Sequence, residues 1–206
     1  MSCTSAVARV FAVAGGWSGV ACTSRGVCAG ILLCDTQRKA ADALVECAGK
    51  ALHLPEDAAR TLATRGELVL GDAARARVLC DRAVEQLIQF ASGQPIDLGV
   101  PIDLSAHTPF RQAVLREVAR LRRGETATYG EIARRTGRPK AARAVGQTMA
   151  TNVLAPFVPC HRVLGSGGHL HGFGGGLPAK AAMLRAEGVA VRADNQRLDV
   201  EEKAGR

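Results

Sequence analysis

Strands followed by helices, then a linker and a helix-rich second half, make this an α/β chain of the α+β kind. Three observations carry that reading. Short apolar runs punctuated by glycine fill residues 6–34, and apolar residues at helical spacing fill 37–52 and 76–91. Beyond a stretch broken up by Pro and Gly, two short helical patterns flank a turn at Gly137-Arg138-Pro139. The expected organisation is an N-terminal β-meander with helices over 1–94, a linker over 95–103, a C-terminal helix-turn-helix domain over 104–192 and a polar tail over 193–206. A length of 206 residues suits two units of about 100 residues each.

Taken in order, Ala6–Val13, Val20–Thr23 and Val27–Cys34 read as antiparallel strands, turned at Gly15-Gly16 and Gly26. The first run is mildly like a signal peptide, but it lacks a basic start and Arg9 interrupts it, so a strand explains it better. Ala41, Leu44, Val45 and Ala48 predict a helix over Gln37–Leu52; Leu79, Ala83, Leu87 and Phe90 predict another over Ala76–Ala91. No catalytic constellation appears in this half, which reads as a support domain. After the linker, Thr108-Pro109 is an N-cap with proline at the first helical position, Phe110, Val114, Val118 and Leu121 trace one face, and Gly124 closes the helix. Thr128-Tyr129-Gly130-Glu131 fits a capping box and starts a short helix ending at Thr136. A second helix is expected over Lys140–Thr151, with Ala142, Val145 and Met149 as its buried stripe and Arg143 and Gln147 facing outward. Its small residues, Ala141, Ala144, Gly146 and Ala150, leave room for close backbone approach. Glycines at 165–168 and 172–176 predict a Gly-rich hairpin, and Pro178–Glu187 a last helix with Met183 and Leu184 inward and Gly188 as its cap.

Composition excludes several classes. Hydrophobic content of 47% with 22% charged residues rules out a largely disordered chain. No apolar run approaches the 18 or so residues of a membrane span. Seven cysteines, an odd number at irregular spacing, fit a reducing cytoplasm better than a disulfide framework. The charge is uneven. Residues 1–100 hold 10 basic and 10 acidic side chains, residues 101–206 hold 17 and 9, and 111–162 alone hold 11 and 3. The whole surplus of 8 therefore falls in that segment, and 22 of the 27 cations are Arg, whose fork matches phosphate oxygens. With a helix-turn-helix beside it, this points to DNA.

Pro159-Cys160-His161-Arg162-Val163 places one cysteine beside a histidine and an arginine, below the basic helix pair. Nearby positive charge lowers a thiol pKa and raises the thiolate fraction, so the motif reads either as an activated thiol or, since a Cys-His dipeptide is a weak signal by itself, as a buried structural cysteine beside a surface histidine. Adjacent residues do not face each other, so a bridging water is the easier link to His161. His169 and His171 lack a third ligand in reach, and no metal or other cofactor is expected; Cys3, Cys22 and Cys28 are candidates in number only. Glu187 stands at a helix end where the dipole disfavours a carboxylate, a cost that marks either a functional residue or a neighbouring cation.

The ordered set T-Y-G-E-I-A, G-R-P-K-A-A-R-A-V-G, M-A-T-N, P-C-H-R-V, G-F-G-G-G-L-x-x-K and E-G, over about residues 103–190, resembles the O6-alkylguanine-DNA alkyltransferase family, the methylated-DNA–protein-cysteine methyltransferases. The resemblance implies a ribonuclease-H-like N-terminal domain and a winged-helix-like catalytic domain. It implies stoichiometric transfer of a methyl or other alkyl group from O6-alkylguanine, and O4-alkylthymine as a further substrate, to a cysteine of a monomer acting on double-stranded DNA without a cofactor. Cys160 would be the acceptor, His161 its base through water, and Glu187 would orient the histidine. Asn152 would hold the turn carrying the cysteine, and Tyr129 would donate towards the base. Arg143 would be the finger inserted into the duplex, with Tyr129, Ala142 and Gln147 beside it on the DNA side. Val163, Phe173, Gly174 and Lys180 would line or support the base pocket. Phe173 and Gly174 stand where the family often has a tyrosine and a hydroxyl residue, and Val153-Leu154-Ala155 where prolines are common. The alternatives are a non-catalytic module that binds alkylated DNA, a helix-turn-helix regulator with a redox cysteine, and a cysteine hydrolase. Cys160 itself speaks against the first, while Glu187, Asn152 and Tyr129 would have no role in the second.

Overall fold

The computed structural model describes residues 5–52, 54–194 and 197–200. It divides into two compact units, one of Met1–His107 with Val153–Phe157, the other of Thr108–Asn152 with Val158–Arg206. Mixed α/β architecture, with a small antiparallel sheet and helices, is what the sequence predicts.

In the first unit, β1 (Ala6–Val13), β2 (Gly16–Thr23) and β3 (Gly26–Cys34) form the meander, and a fourth strand, β4 (Glu67–Leu70), adds to β1 to give the order β3-β2-β1-β4, all antiparallel. Helices α1 (Gln37–Leu52), α2 (Ala58–Arg65) and α3 (Ala74–Ala91) complete it. Strand alternation separates two faces. Ala6, Ala8 and Val10 join Leu44, Ala48 and Leu52 of α1 in one apolar cluster. Arg9 points the other way and donates to Glu67 (2.7 Å) and to Asp81 of α3. The sequence pattern misses α2 and β4. The helix buries only Ala58 and Leu62, and β4 is a four-residue edge strand, too short for a period to show.

The expected linker 95–103 is not a free tether. Ile102 bridges Val27, whose amide donates to Pro101 O (2.8 Å), while Asp103 N donates to Val27 O (2.7 Å). The buried Asp103 carboxylate accepts from Thr23 Oγ1 (2.5 Å) and Arg25 Nε (3.0 Å), holding its pKa below the usual range despite burial. Those contacts carry the first unit on to His107.

The second unit begins with α4 (Pro109–Ala119), which stops short of the expected Leu121. There the amides of Arg120 and Leu121 turn back to Glu117 O (3.3 Å) and Val118 O (3.1 Å), one residue tighter than an α-helix. Strand β5 (Ala127–Thr128) leads into α5 (Tyr129–Arg135); a turn through Gly137 (φ +73°) leads to α6 (Ala142–Ala150), shorter than predicted at both ends. The buried stripe of α6 is Val145, Thr148 and Met149, with Ala142 only half-buried. Thr148 is tolerated there because its hydroxyl donates to Ala144 O (2.9 Å). Strand β6 (Val163–Leu164) pairs in parallel with β5. The predicted Gly-rich hairpin is instead a 3₁₀ turn at Ser166–Gly168, closed by Gly165 N on His169 O (2.8 Å), then irregular chain and a turn closed by Gly176 N on Phe173 O (2.9 Å) into α7 (Gly176–Ala186). In α7, Leu184 is buried as expected and Met183 is half-buried. An antiparallel pair, β7 (Val191–Asp194) and β8 (Arg197–Val200), begins within the expected second domain and runs into the expected polar tail 193–206, whose other residues lie outside the described ones. Among the described residues no helix is long and apolar enough to cross a membrane.

Candidate active site

The site is built where the chain leaves α6 and returns to β6. Pro159 (φ −77°, ψ 70°) centres an inverse γ-turn in which Cys160 N donates to Val158 O (2.8 Å). Asn152, two residues past α6, donates from Nδ2 to the same carbonyl (2.9 Å). It also lies close enough to Cys160 to lower the thiol pKa. One amide thus braces the turn that carries the sulfur. A single 3₁₀ turn, Cys160–Arg162, follows, and His161 is buried at 1% exposure.

His161 Nε2 meets Glu187 Oε1 at 2.9 Å. Arg162, also buried, forks onto the same carboxylate, Nε to Oε2 at 2.9 Å and Nη2 to Oε1 at 2.7 Å, and its Nη1 donates to Leu121 O. Burial works against the charge of Glu187, yet the bonds from His161 and Arg162 hold its pKa down at about 2. An ionised carboxylate only accepts, so Nε2 must carry the proton of a neutral ring. Burial, with the charges of Arg162 and Lys180, lowers the His161 pKa against the pull of Glu187, so the ring is neutral near pH 7. Nδ1 is then the free base. The sequence flagged Glu187 as a carboxylate at the wrong helix end; Arg162 is the cation that explains it.

The thiol does not behave as the basic surroundings predict. Burial raises the Cys160 pKa and outweighs the lowering by Asn152, the Lys180 charge and the amides of Cys160 and His161. The resting group is a thiol that needs a base, not a stored thiolate. Lys180 is buried at 1% exposure, with Nζ donating to Val163 O (2.7 Å) and His171 O (3.4 Å). Desolvation brings its pKa down to about 8.

Tyr129 opens α5 directly after Thr128, whose hydroxyl accepts from Glu131 N (3.1 Å) while Glu131 Oε2 accepts from Thr128 N (2.6 Å). The capping box is present as predicted. Burial raises the Tyr129 pKa, and a negative charge developing on Cys160 would raise it further, so its phenol keeps its proton. The ring lies 3.9 Å from where a side chain on Gly146 would begin, which couples α5 to α6.

Of the expected residues, His161 and Glu187 are hydrogen-bonded to each other, Asn152 braces the turn that carries Cys160, and Lys180 is held at Val163, which is buried on β6. Arg143 and Gln147 are exposed on α6. Phe173 is half-buried against Gly175, and Gly174 stands in open space. Sequence reasoning missed Arg111, which clamps the end of α6 by donating to Thr151 Oγ1 (2.8 Å) and O (3.2 Å), next to Asn152. Its place on the polar face of α4 gave no hint of a partner 40 residues away. Among the described residues no group of three or more His, Cys, Asp or Glu is placed to hold a metal; Cys3 lies outside them.

Residues 109–189 match the family model described as "6-O-methylguanine DNA methyltransferase, DNA binding domain". The methylated-DNA–protein-cysteine methyltransferase of Mycobacterium tuberculosis is 44% identical over 112 residues, 54% of this chain and 67% of that protein. The constitutive enzyme of that name from Bacillus subtilis is 38% identical over 111 residues, 53% of this chain and 67% of that protein. The crystal structure of M. tuberculosis O6-methylguanine methyltransferase superposes with a TM-score of 0.59 at 31% identity, over 88% of this chain and 92% of that one. A second, of M. tuberculosis OGT in complex with DNA, gives 0.61 at 30% identity, over 88% and 92%. The likeness spans both units, and with the Cys160 site it places this chain in the methylated-DNA–protein-cysteine methyltransferase family.

Proposed function

We propose that this chain repairs DNA by moving an alkyl group from guanine O6 in duplex DNA onto Cys160, once per molecule. The observation that carries the residue assignment is the Cys160–Asn152 and His161–Glu187–Arg162 arrangement, a thiol beside a neutral buried base. His161 takes the thiol proton through a water. The sulfur attacks the alkyl carbon, an S–C bond forms, and the C–O6 bond breaks with its electron pair left on guanine. Tyr129, still protonated, donates a hydrogen bond towards the base and stabilises the departing guanine anion, which is neutralised when the thiol proton taken up by His161 is returned to it through solvent. The product is a thioether with no reducible bond, so the protein is spent. Arg143, exposed on α6, fills the gap left by the flipped base, with Ala142 and Gln147 beside it and Val163, Phe173, Gly174 and Lys180 around the pocket.

The finer fold is read as ribonuclease-H-like for the first unit and winged-helix-like for the second. The antiparallel sheet with helices on both faces supports the one, and the helix-turn-helix beside the β5–β6 pair supports the other. The chain acts as a monomer in the cytoplasm, a setting that suits the free thiols among the described residues. O4-alkylthymine is a further substrate of the same site.

Intact mass after incubation with duplex DNA bearing O6-methylguanine tests the reading. Wild-type protein should gain one methylene on Cys160, and Cys160→Ala should gain none. Tight binding without any mass change would sink the transfer reading in favour of a non-catalytic binder.

A further inference from the structure

The β7–β8 pair begins two residues past Val189, where the match to the family model ends. Its role is not explained by the chemistry of Cys160. Its open end is the pair Val191 and Val200. Both side chains pack on Leu164, Leu170, Ala181 and Leu184, a cluster that also takes in Leu177 and Val189. Leu164 stands four residues after Cys160, and Leu170 lies in the loop between β6 and α7.

The backbone contact is closer still. Gly168, at φ +79°, lies so near β8 that a Cβ on it would sit 2.7 Å from Val200 O. Only glycine meets both demands, the left-handed conformation and the close approach. From the other side Lys180 Nζ holds His171 O and Val163 O, and the His171 ring fills the space where a side chain on Gly165 would be. Residues 165–171 are therefore gripped between α7 and the hairpin. Beyond them Gly172 and Gly174 have nothing within 4 Å of a Cβ position, so Phe173 takes its start from the gripped part.

We propose that the β7–β8 hairpin is a positioning element for the 165–176 loop. Through Val191 and Val200 it fixes how tightly the alkylated base is held, and leaves unchanged how fast Cys160 reacts once the base is in place. The inference rests on the alkyl-transfer reading above. It separates ground-state binding from the chemical step, because Val191 and Val200 pack on the cluster that holds the loop, and Val200 O lies against Gly168 within it.

Single-turnover transfer from O6-methylguanine duplex, with half-saturation and maximal rate measured separately, tests it on the full chain. Val200→Asp sets a carboxylate against the Leu164–Leu184 cluster and should raise half-saturation about tenfold, with the maximal rate and the affinity for undamaged duplex each within about twofold of wild type. Val200→Thr, close in shape, should raise it about threefold. An unchanged half-saturation in a cooperatively melting Val200→Asp protein would overturn the proposal, as would a fall in maximal rate alone. If Val200→Asp does not fold, Val200→Thr decides by the same criterion. Absence of transfer by wild type would instead count against the alkyl-transfer reading.

Discussion

Glu187 is the residue around which the charges of the site are arranged. It caps the C-terminal end of α7, where the helix dipole opposes a carboxylate, and the Arg162 fork and His161 offset that cost. Its pKa of about 2 lies below the roughly 4.3 of an unfolded chain, so its contribution to stability is present above about pH 4.3 and is lost as pH falls through about 2. His161 shifts downward too, and its neutral form is the base. The single-turnover rate should therefore hold steady as pH falls through 6.5 and decline only below it; an acid limb centred at or above 6.5 would contradict the assignment. Glu187→Gln should slow transfer about 100-fold and move that limb lower still, because the group that raises the His161 pKa is gone. Cys160, His161 and Glu187 were legible in the chain as a nucleophile, its neighbour and a misplaced acid. The Arg162 fork was not, since nothing in spacing connects residues 25 apart.

At the scale of elements, what was local was legible. The capping box needs only Thr128 to Glu131, and α1 carries its whole signal in Ala41, Leu44, Val45 and Ala48; both appear where the pattern put them. What depends on a partner was not. The early stop of α4 follows from carbonyls turned to other bonds, the glycine loop folds against Lys180 and Val200, and β4 exists only because β1 offers an edge. The cap also serves the site, since Tyr129 is the first residue of the helix it starts. Thr128→Ala should cost about 1 kcal/mol in denaturant unfolding. It should slow transfer as well, because the start of α5 frays where Tyr129 is presented. A stability loss with unchanged transfer would separate the cap from the chemistry.

Over the whole molecule, the surplus of positive charge in 111–162 takes form as Arg134, Arg135, Arg138, Lys140 and Arg143, all exposed around the turn between α5 and α6. If all five meet phosphates, affinity for undamaged duplex should fall with salt at a log–log slope of about −4.5, and Arg135→Ala should make it shallower by about 1. A flat salt dependence would remove this surface from the binding account. The division of the chain has a consequence of another kind. Val153–Phe157 belongs to the first unit, where Gly30 N donates to Val153 O (2.8 Å) and a side chain on Gly30 would strike Ala155 O at 2.6 Å. A gene cut at His107 would strip the N-terminal fragment of the segment that covers Gly30, and leave the C-terminal fragment carrying five residues with no sheet to lie on. The two units are interleaved in sequence, so a single cut between them divides the first and burdens the second.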